Sequence, residues 1–525
     1  MAVLRARRAS RWATWIPVPP RTDPATAATT ASSADRNAAP AAARTAGTTA
    51  TTRDRYVDAL RVGSLVTVIL GHWLMVDVSP GGEVGNALVT VPALQLLTWV
   101  LQVMPLFFLV GGVAHAYALA SLDRRRSREG PGRYATFVGS RASRLLRPTL
   151  VLIVVWIAIG VLTRASGAVN TTEGPLLLIA LRLGTQPLWF VGIYLGIAAL
   201  APAMLAAHRR WGAFVVVLLV VAALAVDVLR FTAGLTALAT FNYAFVWLAL
   251  HQLGFCWQSG LLRPRVAVAL VPGAAVALVA CVTLGPYPVS MVGLPGENIS
   301  NMSPPTAALL AQGTVLGGVA VLLRQPVTRL LARPRVWSAV RAVGAVAMTA
   351  FLWHLTALYV AVLGLRLLGV DRPEPATVTW WLTRPPWLLA LAILTVGLIG
   401  VFRRFDAYQP AGEGVQPHRR ADIMAALGAG LAAFGVLMVS VTGIDVIGST
   451  TVRFVVITIT PIAALLVLAA GVAAIALSGR LPRELPRVRS VASASNRTVL
   501  RPPSRFRSTS PTRSTPPDAG RHSRR

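Results

Sequence analysis

The chain of 525 residues contains no lysine, so all fifty of its basic residues are arginine. Charge is scarce altogether: 13% of residues carry it, against about a quarter in an ordinary soluble protein. Set beside 55% hydrophobic residues and a mean hydropathy of +0.62, that scarcity excludes a soluble globular enzyme. Cysteine is rarer still. Cys256 and Cys281 alone can build neither a disulfide framework nor a thiolate metal site. Also missing are a Gly-rich phosphate loop, a His-Glu-x-x-His helix and a Gly-x-Ser-x-Gly elbow. No apolar stretch long enough for a signal peptide follows the basic start.

What the sequence has in quantity is long apolar runs. Each can cross a hydrocarbon layer of about 30 Å as a helix. Read between Pro, Gly and Arg punctuation, they predict twelve spans, at 57–77, 94–120, 148–164, 187–207, 211–229, 238–259, 266–285, 306–323, 342–369, 386–402, 421–442 and 453–478. The expected fold is an all-α, polytopic transmembrane helical bundle of ten core spans plus two C-terminal ones. The fifth span, which contains Asp227, and the last two are the weakest. No internal repeat is evident.

Arginine orients the bundle. Arg124, Arg125, Arg126, Arg128, Arg133, Arg141, Arg144 and Arg147 follow span 2, and further arginines follow spans 4, 6, 8 and 10. By the positive-inside rule these connections are cytoplasmic, and with them both termini. Trp73, Trp99, Trp189, Trp380, Trp381 and Trp387 then fall near the outer ends, as an aromatic belt would. The net charge of +31 invites a nucleic-acid reading, but about two fifths of the arginines sit in the two tails. Beside a membrane such tails act as topology signals or contact anionic lipid, so nucleic acid is not an expected partner. The domain plan is an Arg/Ala/Thr-rich tail at 1–52 expected to be disordered, a membrane domain at 53–405, and a cytoplasmic connection at 406–420. Two further helices follow at 421–478, then an Arg/Ser/Pro-rich tail at 479–525, also expected to be disordered. The expected location is the cell's inner (plasma) membrane, multi-pass. The arginine bias fits a GC-rich bacterial genome.

Ionisable residues inside spans are costly and therefore candidates for function. In the first span Arg61 and His72 are eleven residues apart, about 20° beyond three full turns, so they share a face with about 16 Å of rise between them. Asp58 precedes Arg61 by one turn and can pair with it. A neutral imidazole suits a general base for a hydroxyl, and a fixed guanidinium suits a phosphate or carboxylate. An interfacial ion pair and a structural histidine remain the plainer reading. Before the third span, Arg141 and Arg144 lie one turn apart, placed either to grip one polyanion or to stop a helix at lipid headgroups.

An Arg, ten residues and a His in the first span, then Arg-x-x-Arg before the third, resembles the acyltransferase-3 family of integral membrane acyltransferases. The stretch Met104-Pro-Leu-Phe-Phe-Leu-Val-Gly111-Gly112 matches as well, as do Pro187-Leu-Trp189-Phe190, His251-Gln252-Leu-Gly254, Ser303-Pro304-Pro305-Thr306 and Leu352-Trp353-His354, in the same order. The resemblance covers roughly residues 53 to 402. It implies transfer of an acyl group, commonly acetyl, from acyl-CoA as co-substrate to a hydroxyl of a carbohydrate, lipid or metabolite, with no permanently bound cofactor. By position, His72 would be the catalytic histidine, Arg61 its motif partner, and Arg141 with Arg144 the donor-binding pair. Asp58, Trp189, His251 and His354 are further pocket candidates. His115 reads as structural, and His208 and His418 as solvated. The competing class is a transporter or flippase of a lipid-linked sugar.

Overall fold

The computed structural model describes residues 54–78, 84–126, 133–370, 372–406, 419–448, 451–454 and 457–478. The two tails, His418 and most of the 406–420 connection lie outside the described residues. The described residues are almost all helical, and each of the twelve expected spans falls on a helix. Among the described residues nine helical segments are long and apolar enough to cross a membrane, and a bent pair makes a tenth.

The main helices are α1 (Arg55–Met75), α2 (Met104–Arg126), α3 (Arg133–Ala165), α4 (Gly174–Leu183), α5 (Leu188–Trp211), α6 (Phe214–Thr232) and α7 (Asn242–Gln258). After them come α8 (Pro264–Leu284), α9 (Ala307–Leu322), α10 (Arg324–Leu331), α11 (Pro334–Leu367), α12 (Val378–Phe402), α13 (Arg419–Thr442) and α14 (Pro461–Leu477). Helices α9 and α10 form the bent pair, at 58°. With 17 residues each, α7 and α14 are shorter than the spans expected at 238–259 and 453–478. Ahead of α14, Val452–Phe454 and Ile457–Ile459 pair as a small antiparallel ribbon instead of extending the helix.

Helix α1 starts where Asp54 accepts from the backbone N–H groups of Tyr56 and Val57. The other carboxylate oxygen of Asp54 accepts from Arg324 Nη2 at 2.8 Å, tying this start to the bend between α9 and α10. From there α1 runs alongside α11 in the same direction. Arg55 lies over the Trp337 ring, Gly344 leaves room for Val62, and Trp73 Nε1 donates to the His354 carbonyl at 3.1 Å. This register is what sets His72 beside His354.

Helices α2 and α7 approach through glycine on both sides. A Cβ on Gly112 would come within 2.0 Å of the His251 carbonyl oxygen, and one on Gly254 within 2.0 Å of the Leu109 carbonyl. Phe107, Phe108, Phe190, Trp247 and Phe351 fill the space between α2, α5, α7 and α11, with ring centroids 4.5 to 5.8 Å apart. By contrast α6, α8 and α12 bury little and expose valine and leucine, as lipid-facing helices do.

Asp227 explains the weakness of the fifth span. Its buried carboxylate accepts from Asn242 Nδ2 at 2.8 Å, the Tyr287 hydroxyl at 3.0 Å and the first backbone N–H of α9, at Ala307, at 2.8 Å. A charge that looks out of place in one helix caps another.

Candidate active site

His72 sits on the last turn of α1, partly exposed, and His354 lies wholly buried on α11. Their rings are nearly coplanar, at 8°, with His72 Nδ1 2.7 Å from His354 Nε2. His354 Nδ1 lies 2.5 Å from the Phe351 carbonyl oxygen. A carbonyl only accepts, so His354 Nδ1 carries the proton and its Nε2 offers a lone pair. His72 therefore donates through Nδ1–H, which leaves the lone pair of its Nε2 free. Among the described residues no hydrogen-bond partner for that nitrogen is found. In the neutral form the chain of bonds selects the tautomer whose basic nitrogen points away from the support.

Arg61 lies three turns below His72 on α1, half-buried, its guanidinium 5.8 Å from the centroid of Phe107. Asp58 is half-buried on the first turn. Helix α3 begins at Arg133, not at 148, so the Arg141-x-x-Arg144 pair belongs to a continuous helix that passes through Pro148. Arg141 is half-buried over the Phe137 ring at 5.2 Å, and Arg144 is exposed. Trp189 is half-buried, 5.9 Å from Trp247.

His115 and His251 form a second buried pair, Nδ1 to Nε2 at 3.0 Å, between α2 and α7. Here no carbonyl fixes the tautomers, and among the described residues neither His115 Nε2 nor His251 Nδ1 has a partner. Beside them the amide of Gln252 is buried and unpaired. His208, expected in solvent, is instead buried and joined to Ser259 Oγ at 3.1 Å. Of the tryptophans expected in an aromatic belt, Trp73, Trp380 and Trp387 turn inward and are buried within the protein, while Trp381 is exposed. Sequence reasoning missed both histidine pairings. Partners 282 and 136 residues apart follow no spacing rule, and the one signal was that each histidine lies within a span. Among the described residues no group of three or more His, Cys, Asp or Glu side chains could hold a metal ion.

The described residues thus form a helical bundle that holds an oriented histidine pair, His72 and His354, between α1 and α11. The profile of the acyltransferase-3 family, an acyltransferase domain, matches residues 54–404, about two thirds of the chain, and the protein belongs to that family. The match spans α1 to α12 and leaves out α13 and α14. No curated protein and no solved structure matches it.

Proposed function

We propose that the protein transfers an acyl group, acetyl in the simplest case, from cytoplasmic acyl-CoA to a hydroxyl of a carbohydrate, lipid or small metabolite. The observation that carries this reading is the tautomer chain from Phe351 through His354 to His72, which leaves His72 Nε2 as an oriented base. In the step itself, Nε2 takes the proton of the acceptor hydroxyl as its oxygen attacks the thioester carbonyl. The tetrahedral centre then collapses, the carbon–sulfur bond breaks, and the thiolate leaves as CoA, taking up the proton held at Nε2. His354 keeps the ring oriented and shares the charge of the transient imidazolium through its Nε2.

Arg141 and Arg144 offer guanidinium forks for the phosphates of CoA, and Arg61 shares a face of α1 with His72. The test uses the purified full chain with acetyl-CoA and a panel of hydroxyl acceptors, reading release of free thiol. His72→Ala is expected to abolish acceptor-dependent release without changing folding, and undiminished release in that variant would remove His72 from the mechanism. With both Arg141 and Arg144 changed to Gln, the KM for acetyl-CoA should rise about tenfold or more while that for the acceptor holds, since one charge-assisted contact is worth about 1.5–3 kcal/mol.

A further inference from the structure

Helix α9 ends at Leu322, and the chain turns by 58° into α10 before Pro334 opens α11. At about 100° per residue, the eight residues of α10 divide into three faces. Val327 and Leu331 turn inward and pack in one apolar cluster with Tyr56, Val57 and Trp257. Gln325, Thr328 and Arg329 form one outer flank, and all three are exposed. Pro326 and Leu330 form the other, continued by Leu323 from the turn, and both leucines are close to half exposed.

Two outer flanks of opposite character suit a helix that lies in the headgroup layer, one flank toward acyl chains and the other toward water. The protein holds the inward face in place. Arg324 pairs with Asp54 at 2.8 Å and lies 5.7 Å over the Trp257 ring, while Arg55 Nη1 donates to the Leu331 carbonyl at 3.4 Å. These contacts set the height of α10 at the start of α1.

Arg329 is followed closely by Arg333 and Arg335, both exposed. Unlike Arg324, these three side chains have no hydrogen-bond or ion-pair partner among the described residues. The sequence carries no carboxylate from Asn298 to Val370, so a counter-charge has to come from outside this stretch of chain. Arginine alone is what any basic connection beside a membrane carries; the leucine flank and the bend are what add a lipid to it.

We propose that α10 lies in the headgroup layer and that Arg329, Arg333 and Arg335 hold the headgroup of an anionic glycerophospholipid, with Leu323 and Leu330 turned to its acyl chains. A zwitterionic lipid brings its own cation and leaves the three guanidiniums without net neutralisation. A soluble polyanion makes no use of the leucines. The proposal uses none of the residues of the transfer mechanism and stands apart from it.

The test is photo-crosslinking of the full chain in phosphatidylcholine nanodiscs, with a trace of phosphatidylglycerol that carries a diazirine on its headgroup, and peptide mapping of the label. Label is expected within residues 325–336, and a matching phosphatidylcholine probe should label that stretch about fivefold less. One arginine at a membrane surface is worth about fivefold in affinity, so Arg329→Gln/Arg333→Gln/Arg335→Gln should cut the label about tenfold or more. The corresponding triple lysine variant, which keeps the charge, should retain most of it. Leu323→Gln/Leu330→Gln should lower the label with every arginine in place. Arg263→Gln/Arg265→Gln, which removes charge from another exposed basic connection, should leave it unchanged. Equal labelling by the two probes, or label unchanged in the triple glutamine variant, would overturn the assignment. So would displacement by CoA as effective as by unlabelled phosphatidylglycerol, which would make this a site for a soluble polyanion.

Discussion

A histidine acts as a base through one nitrogen, and whatever holds the other nitrogen decides which one. In α1 nothing local does so; the decision comes from α11, through His354 and the Phe351 carbonyl. On the proposed mechanism His354 is a positioning residue. His354→Phe should lower kcat about 10²- to 10⁴-fold, the usual worth of an oriented base, with the KM for acetyl-CoA little changed. His354→Gln, whose Oε1 can accept from His72 Nδ1–H, should recover part of the loss. Initial-rate kinetics on the three proteins checks this, and equal kcat for wild type and His354→Phe would show that the ring needs no such support. The spacing of Arg61 and His72 is a property of one helix and was readable in the sequence, whereas the pairings of His72 and His115 depend on how separate helices align and were not.

At the scale of elements, α13 and α14 show how a helical pair outside the family's span joins the bundle. They meet each other through glycine: a Cβ on Gly471 would come within 2.3 Å of the Ala432 nitrogen, and one on Gly435 within 2.5 Å of the Leu468 nitrogen. Against α5, Gly192 leaves room for the Ala433 carbonyl. Gly471→Leu should therefore destabilise the pair by about 1–3 kcal/mol through overpacking, read as a lower midpoint of thermal unfolding in detergent. Gly430, with open space around its Cβ position, is the control site for the same substitution.

The connection after α13 is pinned to α3 by Asp445, which accepts from Arg164 Nε at 3.2 Å and Nη2, and from the Gly448 N–H at 3.0 Å. Burial by itself would raise the Asp445 carboxyl, but these hydrogen bonds outweigh it and hold the group below the usual carboxylate range. A depressed carboxyl contributes stability above its unfolded value, about pH 4, and loses it as pH falls through the folded value. Unfolding midpoints of wild type and Asp445→Asn should accordingly differ at pH 7 and converge below about pH 4, and a gap independent of pH would refute the assignment. Hydropathy could place these two helices; it could not foresee that Val452–Phe454 and Ile457–Ile459 would pair as strands, because β-branched residues suit a strand and a membrane helix alike.

For the whole molecule, the distribution of arginine predicts which end faces the cytoplasm. In a background with Cys256 and Cys281 replaced by Ser, a cysteine at Glu374 should react with a membrane-impermeant thiol reagent applied to intact cells. One at Ala332 should react only after permeabilisation; both positions are exposed. The reverse pattern would put Arg141 and Arg144 in a compartment without CoA and end the donor assignment. The sequence, reading α1 alone, sets His72 closer to the outer surface than Arg61. The assembled bundle adds a second ruler: Arg324, in one of the basic connections, donates to Asp54 at the start of α1, so that connection and the foot of α1 lie together. If that connection marks the inner surface, then the roughly 25 Å of α1 between Arg55 and His72 crosses most of the hydrocarbon layer and carries His72 toward its far side. On the proposed mechanism the nucleotide of the donor would then stay in water at the inner surface while its slender arm alone reaches through the protein, and the acceptor could be modified without either substrate crossing the membrane whole.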